Sequence, residues 1–230
     1  CSEDWWWQAR KFIKNGGIGK VLYAQADYSR NSAGGPDDRG GEWNYHIDRD
    51  STNDPNAGDA YIDWAQWLGP APKRPFSQAR FFQFRKYWDY SGGIATDLLY
   101  HVLAPLTIAL DARAPERATG SGGIYVQQDD REVPDTLLIA LDYPDDYSVL
   151  LTSSMANRQA NTTMIRGHKA TIRPADDGAG MKVTAEDEFK EWFKKEYGAE
   201  EIVVANEPRA EHMDKWLECI RTRGEVHLDA

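Results

Sequence analysis

The sequence predicts an α+β fold built on an open, predominantly antiparallel β-sheet. Three observations carry this expectation. Between Arg113 and Arg173 five short β-branched or aromatic runs, Arg113–Tyr125, Thr136–Tyr143, Tyr147–Ala156, Thr162–Arg166 and Ala170–Arg173, are separated by turn residues. Tyr143-Pro144-Asp145-Asp146-Tyr147 and Arg166-Gly167-His168-Lys169 are hairpin turn sequences, so neighbouring strands should pair antiparallel as a meander. Strands outnumber helices in the second half, and no strand-helix-strand alternation of the kind that builds a parallel sheet is visible.

The remaining elements follow in chain order. Asp4 to Lys14 has apolar positions at helical spacing, Asn15-Gly16-Gly17 supplies a C-terminal stop, and Ile18 to Tyr23 turns extended. From Asn31 to Gly58 the composition shifts to Gly, Asp, Asn and Arg around Trp43 and Tyr45, which predicts a long surface loop of the kind that binds ligands. Ile62 to Gly69 reads as a short helix closed by glycine, and Pro70, Pro72 and Pro75 then enforce an extended crossing. A largely buried helix is expected from about Gly93 to Asp111, kinked where Pro105 removes the amide that would bond the His101 carbonyl. The tail predicts a helix at Glu186–Tyr197, a strand at Ile202–Ala205 and an amphipathic helix from about Pro208 to Thr222.

Composition narrows the function classes. A chain of 230 residues with 41% hydrophobic and 12% aromatic content can bury a sizeable core. Its net charge of −10 argues against nucleic acid or an anionic membrane surface as partner. Cys1 and Cys219 are too few for a disulfide framework or a thiolate metal site, and no apolar run approaches the roughly 20 residues that cross a bilayer. The start at Cys1 and the stop at Leu228-Asp229-Ala230 both read as cut ends, so the compartment stays open.

Chemistry concentrates in Ser91-Gly92-Gly93-Ile94-Ala95-Thr96-Asp97-Leu98-Leu99-Tyr100-His101. Asp97 and His101 lie four residues apart, so one helical turn would stack them on one face, and a buried acid-imidazole pair is a candidate proton-transfer device. The plain alternatives are a first-turn acid favoured by the helix dipole, with Thr96 or Ser91 capping, and a core histidine bonded to a backbone carbonyl. Phe81 to Tyr90 runs into the glycine pair with aromatic faces and a guanidinium, an assortment that suits sugar rings. Arg85, Trp88 and Tyr90 are assigned to the cleft, whereas Phe81, Phe82 and Phe84 fit a core cluster equally well. A metal site is not expected, because the pair lacks a third ligand, and no G-x-S-x-G elbow supports a serine hydrolase. The partial glycine motifs at Gly17–Leu22 and Gly120–Tyr125 read as turns, not dinucleotide cradles.

Taken together, Ile62-Asp63-Trp64, Trp67-Leu68-Gly69-Pro70-Ala71-Pro72, Tyr87-Trp88-Asp89-Tyr90-Ser91-Gly92-Gly93 and Asp97 to His101 resemble the Gfo/Idh/MocA oxidoreductases, the family of glucose-fructose oxidoreductase and inositol dehydrogenase. Members join an N-terminal Rossmann domain to a C-terminal α/β domain carrying a D-x-x-x-H pair. The resemblance implies that residues 1–230 are the substrate-binding C-terminal domain alone, with helices on one face of the sheet, and that the Rossmann domain is absent from this chain. It further implies NAD or NADP bound mainly by that other domain, a sugar, cyclitol or glycoside substrate, and a relay of His101, Asp97 and a lysine from an E-K-P motif that this chain lacks. Some relatives use the transient ketone to cleave a glycosidic bond. Leu99 and Ala104 stand where many members carry glycine and a second aspartate, so substrate orientation is expected to differ. Trp43, Tyr45, Arg85, Trp88 and Tyr90 are expected to shape the sugar site. The alternative is a non-catalytic carbohydrate-binding or oligomerisation module, and in either case an open sheet face should draw copies into a homo-oligomer.

Overall fold

A computed structural model describes residues 3–32, 41 and 43–226. Most of the segment 33–42 and the tail 227–230 therefore lie outside the described residues, including much of the loop expected from Asn31 to Gly58. The fold is one eight-stranded open sheet with helices on one side. In chain order the elements are α1 (Trp5–Lys14), β1 (Val21–Asp27), α2 (Trp64–Leu68), α3 (Gln78–Phe82), α4 (Ile94–Asp97), α5 (Tyr100–Leu110), β2 (Arg117–Gly123), β3 (Thr136–Tyr143), β4 (Tyr147–Ser154), β5 (Met164–Gly167), β6 (Ala170–Pro174), β7 (Gly180–Ala185), α6 (Lys190–Tyr197), β8 (Glu201–Ala205) and α7 (His212–Thr222).

The strand order is β2-β3-β4-β1-β5-β6-β7-β8. The expected meander is thus interrupted: β1 inserts between β4 and β5, parallel to the first and antiparallel to the second, and every other neighbouring pair is antiparallel. Small inward side chains explain how a central strand fits beneath two helices. Ala24 and Ala26 are fully buried, and α5 lies over β1 while packing along α1. Across the sheet, alternate residues point to that same side, among them Leu141, Val149, Leu151, Ile165, Ile172, Met181 and Val183, and they close one core with Trp5, Trp6, Leu106, Ile108 and Phe193 from the helices. Each such aliphatic side chain contributes about 2 kcal/mol of hydrophobic burial. Helices α1 and α5 are tied at their ends as well, because Arg10 and Lys14 of α1 both pair with Asp111, the left-handed residue that closes α5.

Two elements fall outside the expectations from the sequence. Strand β7 follows a turn-rich stretch, and α3 with the 3₁₀ turn Phe84–Lys86 is too short to show periodicity. The Gly120–Gly123 motif lies in the edge strand β2 rather than in a turn.

The β5–β6 hairpin meets the turn before β1 at very close range. A Cβ on Gly167 would lie 2.1 Å from the Ile18 carbonyl oxygen, which itself accepts a hydrogen bond from the Lys169 amide at 3.1 Å. Gly167→Ala is therefore expected to destabilise the fold by about 2–3 kcal/mol. A urea unfolding midpoint equal to that of the parent would contradict the close approach.

Candidate functional site

The glycine pair does create the local geometry that the sequence suggested. Gly93 has φ 57°, and a Cβ there would meet Val133 at 2.7 Å, so only glycine enters α4 along this path. Ser91 and Thr96 serve the turn rather than the helix: their hydroxyl oxygens accept from the Gly93 and Gly92 amides at 3.1 Å each.

The single helix expected from Gly93 to Asp111 is broken at Leu98–Leu99. The Leu98 and Leu99 amides both bond the Ile94 carbonyl, at 3.1 and 2.9 Å, so one residue is added to that turn before α5 starts at Tyr100. Burial of Leu98 and Leu99 in the core holds the break in place. Pro105 lies downstream, inside α5.

The break gives Asp97 and His101 separate partners. The Asp97 carboxylate accepts from Arg85 Nε at 2.8 Å, with both side chains about a third exposed. His101 is exposed on the first turn of α5, where its ring stacks on Tyr28 at 5.6 Å and meets the edge of Tyr100 at 6.0 Å. No hydrogen bond joins Asp97 to His101 among the described residues. The buried pair expected from the spacing is therefore an accessible one with each member braced from outside the helix. Tyr28, which follows β1, was missed because nothing local to it announces a contact across more than 70 residues of chain. It is anchored by β4, to which its amide donates (Thr152 carbonyl, 3.0 Å) and from which its carbonyl accepts (Ser153 hydroxyl, 2.6 Å).

Around the Asp97–Arg85 pair the aromatic run divides by role. The Arg85 guanidinium lies 4.6 Å from the Phe84 ring centroid, and Phe84 lines a cavity of about 390 Å³ with Trp67, Leu68, Pro70, Asp89 and Tyr90. Tyr90 packs edge-on against Trp67, whose ring also stacks on Trp64 at 4.8 Å. Trp88 is 57% exposed, and Tyr45 offers an exposed ring while its carbonyl accepts from Gln83 at 2.7 Å. Trp43 is only 2% exposed and belongs to the core, so it anchors the loop and presents no face to a ligand. A larger cleft of about 700 Å³ beside Ile47, Arg49, Phe76 and Gln78 contains none of these residues.

Behind the site lies a buried polar cluster that the sequence reading did not anticipate. Lys86, 1% exposed, donates to Asn44 at 2.9 Å and to Gln83 at 3.0 Å, and pairs with Asp130 and, at 3.3 Å, with Asp129. The Tyr87 hydroxyl bonds the other Asp130 oxygen, and Arg131 clasps Asp129 at 2.8 Å. These bonds lock segment 43–45, the Phe84–Lys86 turn and segment 127–132 together. Nearby, Asp135 is fully buried and accepts from the amides of Tyr125, Val126 and Gln127 at 3.0, 2.7 and 2.8 Å. Burial pushes its carboxyl up, but those three amides and the Thr136 hydroxyl outweigh it and hold the pKa below the ordinary value. Burial likewise opposes ionisation of Asp129 and Asp130, and hydrogen bonds from Arg131 and Lys86 respectively reverse the balance.

No group of three or more potential metal ligands occurs among the described residues, and no described helix is long and apolar enough to cross a membrane. Neither glycine motif opens a helix, so neither places a helix N-terminus against a pyrophosphate.

Residues 35–177 match the family model for the C-terminal alpha/beta domain of the oxidoreductase family, Gfo/Idh/MocA. The chain belongs to this family. The matched stretch contains Asp97, His101 and the aromatic run, and no curated protein matches the sequence. Solved structures share the fold at low identity. A putative oxidoreductase from Thermotoga maritima is 12% identical with a TM-score of 0.57, over 95% of this chain and 50% of that one. A putative oxidoreductase from Bacillus subtilis is 14% identical with a TM-score of 0.51, over 98% and 56%. An inositol dehydrogenase homologue from Azotobacter vinelandii, solved with NADH and myo-inositol, is 15% identical with a TM-score of 0.50, over 81% and 38%. This Gfo/Idh/MocA chain thus spans about half the length, or less, of the structures it matches.

The depressed carboxylates set the acid response. Asp129, Asp130 and Asp135 bind protons less readily folded than unfolded, so their contribution is complete above about pH 4 and is lost as pH falls through the folded pKa values. Asp135→Ala, which orphans three amides, should cost about 3 kcal/mol at neutral pH and flatten the loss of stability below pH 4. Denaturant titrations across pH 2–7 measure both, and an unchanged acid slope would contradict the assignment.

Proposed function

We propose that residues 1–230 form the substrate-binding and proton-handling lobe of an NAD- or NADP-dependent oxidoreductase acting on a sugar, cyclitol or glycoside. The observation that carries this reading is the accessible His101 imidazole, braced by Tyr28, within the family-matched stretch that also holds Asp97. The myo-inositol bound by the Azotobacter vinelandii homologue supports a polyol as the substrate class.

The described residues build no dinucleotide cradle, so the nicotinamide cofactor, which supplies hydride exchange, is assigned to a nucleotide-binding lobe outside residues 1–230. Within this chain His101 takes a proton from the substrate hydroxyl during oxidation and returns it during reduction. Asp97, held in place by Arg85, accepts a hydrogen bond from a neighbouring hydroxyl. Arg85 therefore acts through Asp97 as well as on the ligand. Trp88 and Tyr45 offer apolar ring faces suited to the C–H side of a sugar, and Tyr90 shapes the wall through its contact with Trp67. Residues 1–230 alone are expected to be catalytically silent.

The test is reduction of NAD or NADP by cyclitols and hexoses in the protein that carries both lobes. His101→Ala should lower kcat by about 10²- to 10⁴-fold and leave NADH affinity unchanged. Turnover near the parental rate would refute the role of His101. Absence of nicotinamide binding in the two-lobed protein would refute the oxidoreductase reading as a whole and favour a carbohydrate-binding module.

The bare face of the sheet supports self-assembly. Leu138 and Leu150, on neighbouring strands β3 and β4, are exposed and border a shallow hollow of about 250 Å³ with Thr119, Ser121 and Ala140. A second copy covering this face buries both leucines. Leu138→Lys combined with Leu150→Lys should shift sedimentation at low micromolar concentration from oligomer to monomer, and a parent that sediments as monomer would rule the interface out.

A further inference from the structure

Helix α7 stands almost clear of the rest of the domain. Cys219 is its one buried residue, with its thiol donating to the Glu225 carbonyl at 3.0 Å. On its outer surface Met213, Trp216, Leu217 and Ile220 are 39–60% exposed. Their spacing of i, i+3, i+4 and i+7 places them in one continuous apolar stripe. An isolated helix of 11 residues is marginal in water, and a stripe of this composition on a lone helix marks a contact surface.

Two further observations point to the occupant. The segment leading into α7 is tied back to the start of the chain: the Glu207 amide donates to Asp4 at 2.7 Å and Arg209 pairs with the same carboxylate at 3.1 Å. The helix therefore leaves the domain beside the N-terminal end of α1, next to the point where a preceding lobe would join. The matched solved structures are also roughly twice as long as this chain. A lobe joined there meets α7 at an effective concentration in the millimolar range, well above that of a free second copy. The bare leucines of β3 and β4 lie toward the other edge of the sheet from β8, the strand that leads into α7.

We infer that the Met213–Trp216–Leu217–Ile220 stripe is the docking surface by which this domain grips the nucleotide-binding lobe of the same polypeptide. The inference rests on the two-lobed reading above. It makes α7 the strap that fixes the distance between His101 and whatever the other lobe carries.

Hydrogen-deuterium exchange on the full-length protein tests it. The amides of residues 212–222 should be protected by at least about tenfold relative to an unpartnered helix, independently of protein concentration. Trp216→Gln with Ile220→Gln should abolish that protection, and Trp216→Phe should keep it. Fast exchange in the parent, protection that survives the double substitution, or protection that grows with protein concentration would each overturn the inference, the last by assigning the stripe to a second copy. Calorimetric titration with NADH separates the two claims. Protection that behaves as expected without nucleotide binding leaves a docking surface for a second lobe but removes that lobe's nucleotide-binding character together with the oxidoreductase reading, whereas nucleotide binding without protection overturns the docking surface and leaves that reading standing.

Discussion

The insertion of β1 between β4 and β5 is the constraint on which the rest of the molecule depends. A strand from the first eighth of the chain must find the middle of a sheet whose other members come from the second half. Once there, its alanines let α1 and α5 lie close over the sheet, and the same register delivers Tyr28 to the His101 ring. The loop-closure entropy of such a pairing grows slowly with length, but it must be offset before the contacts on either side form. The β2-β3-β4 and β5-β6-β7-β8 halves pair locally in sequence, and β1 is the strand that joins them. The imidazole is thus oriented by the longest-range pairing of the topology.

A second device fixes the ground on which the aromatic run stands. Lys86 is surrounded by Asn44, Gln83, Asp129 and Asp130, and removing a buried charge from water costs several kcal/mol unless such partners compensate. Here they do, and three segments distant in sequence are held to one geometry. The adjacent Arg85 is left to reach Asp97, while Trp88 is held through its amide by Glu132 at 3.0 Å. The arrangement is braced beneath by buried ion pairs and exposed above at Trp88, which suits the proposed polyol site.

Much of the fold was legible because hydrophobic alternation and turn chemistry are local. The hairpins at Tyr143–Tyr147 and Arg166–Ala170, the stop after Lys14 and the short capped helix at Trp64 follow from residues within a few positions of one another. Strand β7 was also written locally, with Met181, Val183 and Ala185 alternating against Lys182 and Thr184, but the glycines and aspartates before it obscured the pattern. What could not be read was partnership at distance: the place of β1, the Tyr28–His101 stack, the Lys86 cluster. In the site, the residue types Asp97, His101 and Arg85 were visible, yet the added residue at Leu98–Leu99 was not. Burial of Leu98 and Leu99 in the core accompanies it, and nothing in the local pattern of residue types marks it.

That added residue changes the chemical division of labour. On an unbroken helix the carboxylate would sit one turn beneath the imidazole and bias its charge directly. In the observed geometry the Asp97 carboxylate is committed to Arg85 on one oxygen, and the imidazole meets aromatic rings instead of the carboxylate. In the proposed reaction, proton exchange with the substrate hydroxyl falls to that imidazole. Under the proposed function the ion pair would serve recognition rather than proton transfer, because Arg85 fixes the direction in which the Asp97 carboxylate meets a substrate hydroxyl.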